Sequence, residues 1–197
     1  LLFQHAEEPG QGAKGCREFL APNHIDEIYG FHNIPDYPAG QILILPEISN
    51  CASTGITIDF TGKPSHAAYP ELGLNPVFTI AELVKQIPSL LDPNQYQGLV
   101  LCTIVSCRVG DGAFGVSPAK GQLLLTVRAK FEEDLEKLKT QMEEFIKEKA
   151  VAAGLQWQIS YQESFPETRN HLACNEKLKQ ICQKENLPYQ ELAEPFR

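Results

Sequence analysis

No stretch of the 197 residues approaches the roughly 20 consecutive apolar residues of a membrane span. The chain also lacks blocks of like charge. Its acids and bases are mixed, for a formal net charge of -8 and a pI of about 5.1, and this argues against nucleic acid or an anionic membrane as partner. It has no tightly spaced cysteine pair of the kind that holds a metal. Cys16, Cys51, Cys102, Cys107, Cys174 and Cys182 are scattered, and the expected reading is reduced, mostly buried thiols in a cytoplasmic protein rather than disulfides. There is no initiator Met or signal peptide ahead of Leu1-Leu2-Phe3-Gln4, which reads as the inside of a buried strand, and Glu194-Pro195-Phe196-Arg197 stops without a polar tail. An internal fragment is therefore expected. With 43% hydrophobic residues, a soluble globular protein with a sizeable core is expected.

Three regions separate by pattern. In residues 1–52, short apolar runs at Leu1 to Phe3, Ile28 to Phe31 and Ile42 to Leu45 alternate with loops rich in Gly, Pro and Asn. They predict strands of a mixed sheet, with a short helix through Ala13 to Leu20. Residues 53–164 predict the order strand, helix, strand, strand, helix, strand. Gly55 to Thr61 alternates, with Ile56, Ile58 and Phe60 on one face. The next helix takes Asn75 as its cap and Pro76 in its first turn, with Val77, Ile80, Ala81, Val84 and Ile87 as the apolar stripe. Leu99 to Val105 and Gly121 to Ala129 predict a hairpin, and Glu132 to Ala153 a long helix with Leu135, Leu138, Met142 and Phe145 inward. Gln156 to Gln162 predicts the last strand. The economical fold is two helices on one face of a four-stranded antiparallel sheet, a ferredoxin-like insertion. Residues 165–197, with a helix near Asn175 to Lys184, return to the first domain.

Three segments could carry chemistry. Gln4-His5-Ala6-Glu7-Glu8-Pro9-Gly10 puts two carboxylates side by side at a predicted strand end. Neighbouring carboxylates repel unless a positive group lies between them. A metal would relieve that conflict, one carboxylate ligating it and the other taking a proton from bound water. Taken alone, the pair reads as a solvated turn before it reads as a metal site. Ile28-Tyr29-Gly30-Phe31-His32-Asn33 ends in an imidazole, the commonest metal ligand, although a single His after a strand is often structural. Gly62-Lys63-Pro64-Ser65-His66-Ala67-Ala68 is a loop ahead of a helix, where a His and backbone N–H groups can hold an oxyanion; an ordinary turn is the other reading. The combination carries more than any one segment.

Phe3-Gln4-His5-Ala6-Glu7-Glu8 followed by Gly12-Ala13-Lys14 resembles the glutamate-pair motif of the aminoacylase, hippurate-hydrolase and auxin-conjugate amidohydrolase family of dizinc peptidases. Tyr29-Gly30-Phe31-His32, with Pro35 and Gly40, is similar to its next ligand motif. Gly62 to Pro70 is similar to its lid motif. The resemblance implies that Glu7 is the general base, Glu8 and His32 are metal ligands, and His66 stabilises the tetrahedral oxyanion, usually in the partner subunit's site. It carries Asn75 and Arg128 over as residues facing substrate or the dimer edge. It implies attack of metal-bound hydroxide on the amide of an N-acyl amino acid or small peptide, two zinc ions (or manganese or cobalt) in the complete protein, and a homodimer formed through the lid. There are two departures, the first read as a neutral substitution and the second as bearing on substrate preference. His5 stands where the family commonly has proline, and Gly115-Val116-Ser117-Pro118 replaces the usual Asn before Val-Ile-Pro. The family's upstream ligands and distal His have no counterpart here, so this chain alone is expected to be inactive. The competing readings are a non-catalytic dimerisation or binding module, and a regulatory ligand-binding domain of ferredoxin-like type.

Overall fold

The computed structural model describes residues 2–8 and 10–197. In chain order its elements are α1 (Gly12–Leu20), β1 (Ile42–Ile44), β2 (Ile48–Asn50), β3 (Ala52–Thr61), β4 (Ser65–His66), α2 (Val77–Gln86), β5 (Val100–Val109), β6 (Val116–Ser117), β7 (Lys120–Ala129), α3 (Glu132–Ala152), β8 (Gln156–Phe165), β9 (Thr168–Arg169), α4 (Leu172–Lys184) and β10 (Tyr189–Glu191). The chain divides into two compact units, Leu1–Cys51 with Glu167–Arg197, and Ala52–Pro166.

The second unit is the expected ferredoxin-like arrangement, an antiparallel sheet in the order β5-β7-β3-β8. Strand alternation builds its core. Ala52, Ile56, Ile58 and Phe60 of β3 and Leu123, Leu125, Val127 and Ala129 of β7 are buried, as are Leu135, Leu138, Met142, Ile146 and Ala150 at helical spacing along α3. Asp134, buried in the first turn of α3, accepts backbone N–H bonds from Gln97 (3.2 Å) and Gly98 (2.9 Å) and so ties that helix to the entry of β5.

Helix α2 differs from expectation. Its buried residues are Thr79, Ile80 and Leu83, continuing to Ile87, whereas Val77 and Ala81 are exposed. Leu83 brings more apolar area than Ala81, so the helix rotates to bury the larger side chain. The cap position falls on Pro76, one residue later than expected, and Asn75 just ahead of it accepts the Val77 N–H on its Oδ1 at 3.0 Å.

The first unit carries two short ladders, β1 with β10 in parallel and β2 with β9 antiparallel. Two expected strands are absent from its described residues. Of the run Leu1 to Phe3, Leu1 lies outside the described residues, while Leu2 and Phe3 are exposed and in no strand. Ile28 to Phe31 has no regular secondary structure and joins no ladder, with Phe31 81% exposed. An apolar run becomes a strand only where a neighbour takes its backbone N–H and C=O groups, and no described strand pairs with either run. Helix α4 begins three residues earlier than expected, at Leu172.

Leu138 is fully buried where α3 meets the sheet. Leu138→Ala is expected to lower the unfolding free energy by about 2–5 kcal/mol, measured by urea denaturation, with no change in far-ultraviolet dichroism of the folded protein.

Candidate functional site

Glu7 and Glu8 occupy a tight turn directly ahead of α1. Ala6 has φ of +46°, the Gly10 N–H donates to the Glu7 carbonyl at 2.8 Å, and the Gln11 N–H donates to the Ala6 carbonyl at 3.1 Å. The helix starts hard against this turn. A Cβ at Gly12 would lie 1.8 Å from the His5 carbonyl oxygen, so only glycine permits the approach. Backbone bonds therefore hold the two carboxylates, and both side chains are exposed.

His32 follows Tyr29 on a segment without regular secondary structure, and that segment is fastened to α4. The Tyr29 hydroxyl donates to Glu27 at 3.0 Å, and Lys177 of α4 pairs with the other Glu27 oxygen at 2.5 Å. Burial first, then hydrogen bonding to Cys174 and Glu27, pushes the Tyr29 phenol up to about 12. The Lys177 ammonium is the main cause holding the Glu27 carboxyl below its usual range. These anchors could not be read from sequence, because Glu27 and Lys177 are 150 residues apart. The Nδ1 of His32 lies 3.0 Å from the Asn33 carbonyl. A carbonyl only accepts, so neutral His32 carries its proton on Nδ1 and its lone pair on Nε2.

In the second unit, His66 is shown to solvent by a loop closed at its base. Lys63 and Leu74 exchange backbone bonds of 3.1 and 2.7 Å, and Gly62 lies so close beneath them that a Cβ would come 2.0 Å from the Leu74 carbonyl oxygen. The two-residue ladder of β4 with β6 stiffens the loop. The backbone N–H of Ala68 donates to His66 Nδ1 at 3.0 Å. That N–H can only donate, so neutral His66 carries its proton on Nε2, pointing outward. The two histidines are thus held in opposite tautomers: His32 presents a lone pair and His66 an N–H.

Asn75 lies just ahead of α2 and its amide nitrogen donates to the Ser117 hydroxyl at 3.4 Å. Both residues line a cavity of about 340 Å³ with Leu74, Phe78 and Thr79. Ser117 pairs with Ser65, so this cavity and His66 share one ladder. Arg128 is not brought to it. It stands opposite Ser53, at the far end of β3 from the His66 loop, a distance of about 25 Å along the strand. Among the described residues no group of three or more His, Cys, Asp or Glu is arranged to hold a metal. Glu8 and His32 are two donors where a divalent ion needs about four, so the described residues do not by themselves fit the ion.

A family model described as a peptidase dimerisation domain matches residues 48–153. The chain is 28% identical to the N-acetyldiaminopimelate deacetylase of Leuconostoc mesenteroides over 97% of its own length and 51% of that protein's. It is 36% identical to that of Listeria monocytogenes over 48% of the chain and 26% of the relative. It thus spans about half the length of the relative matched along nearly all of it. Among solved structures, an aminobenzoyl-glutamate utilization protein from Klebsiella pneumoniae superposes with a TM-score of 0.67 at 18% identity, covering 82% of this chain and 41% of that one. That likeness is one of fold.

Nitrogen-15 NMR of the ring resonances checks the tautomers. At a pH where both rings are neutral, His32 Nε2 and His66 Nδ1 are expected at the shift of an unprotonated ring nitrogen. The same protonated nitrogen in both rings would contradict the geometry.

Proposed function

The chain belongs to the amidohydrolase family that carries the peptidase dimerisation domain, and from that premise we propose that it forms part of an enzyme hydrolysing the amide bond of N-acyl amino acids or small peptides. The observation that carries this reading is that one chain holds two histidines in opposite tautomers together with an exposed glutamate pair. The similarity to N-acetyldiaminopimelate deacetylases favours an acetyl group on an amino-acid nitrogen.

Each side chain has a role that its bonding suits. Glu7 takes the proton of the attacking water and passes it to the leaving amine, a task for an exposed carboxylate on a rigid turn. His66 donates its Nε2–H to the oxygen that becomes negative as the carbonyl turns tetrahedral. Glu8 and His32 contribute two donors to a divalent ion, zinc, manganese or cobalt, whose other ligands the complete protein must supply. A cation held there would polarise the substrate carbonyl and acidify water. Asn75, at the cavity, and Arg128, on the open face of the sheet, are proposed to contact substrate. Taken alone, the described residues hold too few donors for turnover.

We place the homodimer contact on the outer edge of β5. This strand is ten residues long, its sole charge is Arg108, and it exposes Ile104 and Val105. An edge this long and apolar is an invitation to strand addition. No helix of the described residues is long and apolar enough to cross a membrane. A cytoplasmic setting accompanies this reading, on the scatter of the cysteines.

The test uses the complete protein with a panel of N-acyl amino acids, N-acetyl derivatives first, with zinc, cobalt or manganese present. Glu7→Gln is expected to lower kcat by about 10²–10⁴-fold with little change in KM, and Glu8→Ala to reduce the bound metal found by elemental analysis. If the unaltered protein releases no amino acid from any substrate and binds no metal, the chain is a dimerisation or binding module instead.

A further inference from the structure

The register with which two β5 edges would meet is written into the strand, and it rests on the homodimer reading above. Leu99 accepts a backbone bond from Lys130 at one end of β5, and Gly110 donates one to Lys120 at the other. Bonding alternates along an antiparallel ladder. Counting inward, Leu101 and Thr103 from one end and Arg108 and Ser106 from the other spend their backbone groups on β7. Val100 and Cys102 near one end, and Cys107 and Val109 near the other, therefore turn theirs outward, with Ile104 and Val105 between them.

The bulge between Ile104 and Ser106 switches the outward phase from even to odd positions. Two copies related by a two-fold axis must present outward residues to each other along the whole overlap. A strand of single phase would put that axis on a residue. With the switch, full overlap puts it between Ile104 and Val105. The side chains repeat the same symmetry. Val100-Leu101-Cys102-Thr103-Ile104 read forward matches Val109-Arg108-Cys107-Ser106-Val105 read backward, in type, at every place but Leu101 and Arg108. Ile104 and Val105, 41% and 58% exposed, stand where the axis would cover them.

We propose that two copies of this chain pair antiparallel through β5 about an axis between Ile104 and Val105, with Cys102 of each copy opposite Cys107 of the other. Opposed residues that bond each other in such a ladder lie about 5.5 Å apart at Cα, within the span of a disulfide.

The test is oxidation of the full chain with diamide, followed by non-reducing electrophoresis, beside its molar mass by light scattering. Each disulfide joins two thiols and passes two protons and two electrons to the diazene, which becomes the hydrazine. A cross-linked dimer is expected for the unaltered chain. It should be lost, down to the background of the Cys102→Ser/Cys107→Ser double variant, in either single variant. Mixing the two single variants and letting subunits exchange should restore it, which also shows that both fold and pair. A dimer by light scattering that does not cross-link, or that still cross-links in one single variant, overturns the register and leaves the homodimer standing. A monomer at micromolar concentration overturns the homodimer reading and the register with it.

Discussion

The second unit depends on β3 being paired along its length on both sides. Its residues find partners on β7 from Ala52 to Thr61, and on β8 from Ser53 to Thr61 with one irregularity. A strand so placed has no edge, its inward side chains are covered by helices, and Ile58 and Phe60 reach 0% and 1% exposure. The loop carrying His66 leaves directly from its end. The position of that histidine is therefore inherited from the most constrained backbone in the unit.

Elements with a period of their own were legible in the sequence. The alternation in β3 and β7 and the helical spacing in α3 each match one face of a sheet or helix, and together they specify the ferredoxin-like layer. What was not legible depended on pairing or on distance. Ile28 to Phe31 has strand composition and no described strand to pair with. The stripe of α2 lies a fraction of a turn from the one its pattern predicts, since Val77, Ala81 and Leu83 differ in size more than in hydrophobic pattern. The fastening of the His32 segment runs through Glu27 and Lys177, which nothing local connects.

The candidate site divides the same way. Motif order brought out Glu7, Glu8, His32 and His66, but not the hydrogen bonds that fix each imidazole. A neighbouring carbonyl sets one ring and a neighbouring amide N–H sets the other. Both are contacts within two residues of the histidine, made by main-chain atoms that every sequence possesses. Only the backbone conformation reveals them.

The bonds between Lys63 and Leu74 close the His66 loop off from the sheet beneath it. Apart from Gly73, where a Cβ would come 2.9 Å from the Lys63 carbonyl oxygen, residues between that clasp can change in identity with little effect on the strand that supports them, because the clasp is main chain to main chain. The loop is in this sense an exchangeable cartridge on a fixed mount, and variation in what it offers to a substrate carries little penalty for folding.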